Sequence, residues 1–105
     1  MKAPTKLRIG GQTYKVIYPP VLEGRVGDQD STRTLIRVSQ NQSLDGMKTT
    51  LLHEAIHAQA EAMDWAAKEP TVLKMEKLFF SLIRDNPNLI KWILHAEELQ
   101  QTETT

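Results

Sequence analysis

Apolar and polar residues alternate up to Val38, then give way to apolar spacings of three and four, and this switch organises the chain. The stretch Lys6–Ile9 alternates and ends in Gly10-Gly11. Residues 13–18 resume the alternation, with Tyr14, Val16 and Tyr18 on one side. Two alternating runs joined by Gly-Gly predict a β-hairpin, and Pro19-Pro20 stops its second strand because proline lacks a ladder donor. A weaker strand over 23–28, turn chemistry at Asp28-Gln29-Asp30-Ser31 and a clear strand over 32–38 predict a second hairpin. In that last strand Thr34, Ile36 and Val38 alternate with Arg33, Leu35 and Arg37.

Beyond residue 43 the period is that of a helix. Met47, Leu51, Leu52, Ala55, Ile56 and Met63 predict one over 44–64, with Ser43 or Asp45 as its N-cap. After a connector over 65–69, Pro70 suits the first turn of a second helix, over 70–84, whose apolar stripe is Val72, Met75, Leu78, Phe79, Leu82 and Ile83. Asp85-Asn86-Pro87 breaks it. Leu89, Ile90, Trp92, Ile93, Ala96 and Leu99 predict a third helix over 88–99, followed by a polar tail over 100–105. Strands followed by helices indicate an α+β fold: a small N-terminal twisted sheet of three to four strands, then three α-helices, in one domain over 1–105. The sheet is expected to pack on the first helix and the later helices to cover its other side. Trp65 and Trp92 are assigned to core or interface, and Lys68, Lys74 and Lys77 to an exposed helical face.

The first helix carries the chemistry. His53-Glu54-Ala55-Ile56-His57 reads H-E-x-x-H, and at about 100° per residue two histidines four apart share one face. Their nitrogens can hold one zinc at about 2.0–2.1 Å each. Glu54 flanks the same point, placed to take a proton from water activated there. The competing reading is an ordinary half-buried helix face. The flanking Leu51, Leu52, Ala55 and Ile56 and the concentration of two of the chain's 3 histidines in the motif favour the metal.

A catalytic zinc needs a third protein ligand. Glu61 lies a further turn along the same helix, about 6 Å up its axis, and suits solvent or an outer role better. Asp64 shares that difficulty but lies near the helix end. Glu76 borders the buried stripe of the second helix, where a carboxylate calls for a compensating cation, and is the preferred ligand; pairing with Lys74 or Lys77 is its alternative. His95, among apolar residues of the third helix, reads as a packed or capping residue first and as a ligand second.

Composition narrows the rest. Thirteen basic and 13 acidic residues balance to zero net charge, which speaks against a nucleic-acid partner. There is no cysteine, so zinc would be held by histidine and carboxylate alone. No apolar run suits a membrane span and no apolar stretch follows Met1-Lys2-Ala3-Pro4-Thr5, so a cytoplasmic location is expected.

The stretch Thr50-Leu51-Leu52-His53-Glu54-Ala55-Ile56-His57-Ala58 resembles the active-site helix of gluzincin metallopeptidases, and the small single-domain minigluzincins in particular, which include many short phage and bacterial proteins. The likeness extends to Glu76 and to Arg84-Asp85-Asn86-Pro87, and covers residues 6–94. It implies a zincin-like fold, a Zn2+ cofactor and an endopeptidase-type hydrolase. His53, His57 and Glu76 would be the metal ligands and Glu54 the general base and later acid. It also implies a peptide or protein substrate bound as an extended strand along a sheet edge, here 23–28. Larger gluzincins add a domain that supplies an oxyanion donor; in this chain Tyr14, Tyr18, Arg84 and His95 stand as candidates, with a shallow cleft and slow turnover expected. The acidic residues Glu97, Glu98 and Glu103 either fold back over the zinc or form a solvated end. Arg33 and Arg37 offer either a site for an acidic peptide or a solvated face.

Two rivals remain. One is a non-enzymatic, zinc-stabilised interaction module, though such a module has no need of Glu54. The other is a small α+β domain without metal.

Overall fold

The computed structural model describes residues 2–95. The fold is α+β. Strands β1 (Lys6–Ile9), β2 (Gln12–Ile17), β3 (Gly27–Asp30) and β4 (Leu35–Val38) precede helices α1 (Leu44–Ala62), α2 (Glu69–Asp85) and α3 (Pro87–Leu94). The strands form one sheet in the order β1-β2-β4-β3. β1/β2 and β3/β4 are antiparallel hairpins, joined by a parallel pairing of β2 with β4, so the sheet is mixed and β1 and β3 are its edges.

The first hairpin turns on Gly10 and Gly11, at φ of 58° and 80°, a conformation glycine adopts without steric cost. The turn also rests on α1: a Cβ at Gly10 would stand 2.5 Å from that of Ala62. The second hairpin is shorter and shifted relative to the alternation in sequence. Gly24, at φ 74°, holds the chain irregular before β3, and residues 31–34 form the turn, closed by the Arg33 amide donating to Asp30 Oδ1 at 3.2 Å and by Thr34 at φ 48°. Arg33 therefore leaves the strand, and Arg37 alone of the two arginines lies on β4.

Alternation does place the core. Ile9, Tyr14, Val16, Ile36 and Val38 point to one face of the sheet, where Ala58 of α1 meets them and Met47, Leu51 and Ala55 pack alongside. Ile36 and Val38 are fully buried. Ser43 is the N-cap of α1, its Oγ accepting from the Gly46 amide at 3.0 Å.

α1 stops at Ala62, and Asp64, at φ 56°, reverses the chain while the Trp65 amide donates to the Ala60 carbonyl. α2 begins at Glu69, with Pro70 in its first turn, and returns along α1 until Arg84 Nη1 reaches Asp45 Oδ2 at 3.2 Å. Its packing is thin. Val72 of the expected stripe is buried and Met75 and Phe79 are half-buried, while Leu78, Leu82 and Ile83 stand exposed, because α1 covers only one flank of that stripe. No described residue of α3 is buried, and Trp65 and Trp92 are each 45% exposed, which removes both tryptophans from the core. α3 ends at Leu94, short of the helix expected over 88–99, because His95 leaves helical backbone at φ −128° and ψ 85°. Residues 96–99, the polar tail and Glu97, Glu98 and Glu103 lie outside the described residues. Among the described residues, no helix is long and apolar enough to cross a membrane.

Candidate metal centre

The four-residue spacing brings the rings of His53 and His57 to 4.9 Å between centroids, at 69° to one another, on the side of α1 that faces α2. Across from them is Glu69. Its Oε1 lies 2.5 Å from His53 Nε2 and its Oε2 lies 3.1 Å from His57 Nε2, so one carboxylate spans both imidazoles. One ligand atom from each of the three residues falls within 4.8 Å of the others.

Glu76, expected as the third ligand, is in the same assembly but at a different atom. Its Oε1 meets His53 Nδ1 at 3.1 Å, on the far side of the ring from Glu69. Seven residues are close to two helical turns, so Glu69 and Glu76 share one face of α2 and grip His53 from both ends. Glu76 is the more enclosed of the two, its side chain 16% exposed against 58% for Glu69.

This arrangement has a proton inventory. A neutral imidazole carries one N–H, yet His53 presents a ring nitrogen to a carboxylate on each side. A cation at Nε2, with the remaining proton on Nδ1 donated to Glu76, satisfies both contacts, as does an imidazolium that donates to both carboxylates. Two imidazoles and one carboxylate, with no thiolate, are also the donor set of a catalytic zinc with one position left open. The residues fit the metal.

Glu54 is half-buried beside them. Burial pushes its carboxyl pKa up, and the nearby Glu69 and Asp28 carboxylates push the same way, against the opposing pull of His53 and His57. A carboxyl so placed holds a proton more readily than an exposed glutamate.

The remaining sequence candidates serve elsewhere. Glu61 accepts from Gln29 Nε2 at 2.7 Å and from Ser31 Oγ at 2.5 Å, tying β3 and its turn to α1. Asp64 forms the reversal after α1. Tyr14 is buried in the sheet core, the Tyr18 hydroxyl donates to the Pro4 carbonyl at 2.5 Å, Arg84 pairs with Asp45, and His95 closes α3. Arg37 is paired with Asp28, which Arg25 also contacts at 2.8 Å.

On sequence Glu69 falls in the connector over 65–69, whereas the structure makes it the first residue of α2. The signal for it is Glu-Pro at a helix start: an acidic residue in the first turn and proline beside it place the carboxylate at the helix mouth, facing whatever precedes it.

Comparison of the chain with family models, with curated proteins and with solved structures finds no match.

Proposed function

We propose that this chain is a zinc-dependent peptidase of minigluzincin type, in which His53, His57 and Glu69 hold the metal, Glu76 orients His53, and Glu54 is the general base and acid. The observation that carries this reading is the meeting of the three ligand atoms within 4.8 Å, two of them from the helix that also bears Glu54 and the third from the start of α2. Zinc bound there supplies Lewis acidity, which makes water nucleophilic near neutral pH and polarises the scissile carbonyl. Glu54 accepts the proton that the attacking water gives up and delivers it to the leaving amine nitrogen. Its partial burial suits both halves of that exchange. Glu76 fixes the ring of His53 by accepting from Nδ1, so that Nε2 is presented with its lone pair free. The substrate is a peptide in extended form along β3, the sheet edge beside α1.

The test is hydrolysis of fluorescein-labelled casein by zinc-loaded and chelated protein, wild type beside Glu54→Gln. The expected result is zinc-dependent cleavage that falls by at least ~100-fold in Glu54→Gln while zinc is retained. Equal cleavage by the two proteins, or cleavage indifferent to chelation, contradicts the reading. A zinc-stabilised interaction module is the second reading, favoured by the exposed Leu78, Leu82, Trp92, Ile93 and Leu94 of α2 and α3. Zinc bound without any cleavage is its signature in the same experiment.

A further inference from the structure

The edge strand β3 meets the metal-binding helix at its first residue. A Cβ built on Gly27 would lie 2.4 Å from Thr50 Cγ2, 3.1 Å from the Arg37 carbonyl oxygen and 3.5 Å from Glu54 Cγ. Gly27 does not occupy the left-handed region. Space, not backbone conformation, is what demands glycine here. Its neighbours on the strand bind it further to α1, since Gln29 donates to Glu61.

The register of β3 determines which of its backbone groups are free. The Ser39 amide donates to the Val26 carbonyl at 2.8 Å, and Gly27 is opposite Val38, Asp28 opposite Arg37 and Gln29 opposite Ile36. Bonded and unbonded pairs alternate in an antiparallel ladder. Val26/Ser39, Asp28/Arg37 and Asp30/Leu35 are thus the bonded pairs. The N–H and C=O of Gly27 and Gln29 point the other way, to the open edge.

Resting on the peptidase reading, we propose that Gly27 is a positioning residue for substrate. Its backbone groups, with those of Gln29, pair with an extended peptide, and its missing side chain lets β3 sit down on Thr50 so that the paired peptide runs beside Glu54. An alanine at 27 pushes the edge strand off α1 and carries the substrate away from Glu54 with it. Thr50→Ser removes the methyl in the way and keeps the hydroxyl that bonds Gln42 Oε1 at 3.1 Å.

Two measurements test this. In zinc-loaded Glu54→Gln protein, amide exchange by NMR should be fast at Gly27 and Gln29 and slow at Asp28 and Asp30, and adding casein peptides should slow Gly27 and Gln29 by roughly tenfold or more. The opposite alternation, or no slowing at Gly27 and Gln29, overturns the proposal. Second, casein hydrolysis is compared for wild type, Gly27→Ala, Thr50→Ser and Gly27→Ala/Thr50→Ser, each checked for zinc content. Gly27→Ala should lose about tenfold to a hundredfold in kcat/KM with its zinc retained, Thr50→Ser should stay within about twofold of wild type, and the double variant should regain most of the loss. Unchanged kcat/KM in Gly27→Ala, or a double variant no better than it, overturns the proposal. Wild type that holds zinc and cleaves nothing ends the peptidase reading instead, and the exchange measurement still decides the role of β3.

Discussion

The sheet with α1 and the α2–α3 arm are built to different standards. On one side Ile36 and Val38 are fully buried beneath Ala58, the hairpin turn is pressed against Ala62 and Glu61 ties down β3. On the other, α2 is anchored by the buried Val72, the half-buried Met75 and Phe79 and polar contacts at Glu69, Glu76 and Arg84, and no residue of α3 is fully buried. The candidate metal centre lies across this boundary. Two of its candidate ligands come from the closely packed part and one from the thinly packed arm. A metal at this point would therefore do structural work as well as chemical work, because it joins what packing alone holds weakly.

The comparison can be broken most severely from the core. Ile36→Ala should cost about 3 kcal/mol in chemical denaturation, since it empties a fully buried site between sheet and helix. Chelation, or Glu69→Gln, should act on the other half: hydrogen exchange in α2 and α3 should accelerate by roughly tenfold or more while β2 and β4 stay protected. Equal acceleration in both halves would mean that the arm is not a separate unit. Val72→Ala should cost roughly 1–2 kcal/mol and loosen the arm alone.

A pH measurement sharpens the comparison on the sheet side. A hydrogen bond from Arg37 holds the Asp28 carboxyl below its ordinary pKa, with a further contribution from Arg25. The pair therefore adds stability above the ordinary aspartate value of about 4, and that contribution is lost as pH falls through the lower folded value. Asp28→Asn should lower stability near pH 7 by less than Val72→Ala does, and should flatten the acid side of the stability profile. An unchanged acid limb would show that the pair contributes nothing. The smallest effect belongs to Leu78→Ala, which at 59% exposure should change stability by about 0.5 kcal/mol or less in the isolated chain.

What was legible in sequence follows the same division. Alternation put Tyr14 with Val16 and Ile36 with Val38 on one side of their own strands, and the H-E-x-x-H spacing put His53 and His57 together, because these signals come from strict local periodicity; that the two strand sides form one core face is set by the pairing of the strands. The ends of the second hairpin escaped because Thr34 and Gly24 adopt left-handed backbone that alternation does not encode. The exposure of Leu78, Leu82 and Ile83 on α2 escaped because a period gives the direction of an apolar face but not what covers it. Glu69 escaped for a related reason. Its approach to both histidines depends on the reversal at residues 63–68, a tertiary event, whereas Glu76 was noticed because its helical face could be read from its neighbours.

Zinc per chain in wild type, Glu69→Gln and Glu76→Gln tests the metal centre most directly. One zinc in wild type, loss of it in Glu69→Gln and retention with weaker affinity in Glu76→Gln is the expected pattern, with Glu69 as ligand and Glu76 as the residue that orients His53. Zinc kept by Glu69→Gln and lost by Glu76→Gln would contradict that assignment, and a wild-type chain that takes up no zinc would contradict the metal centre itself.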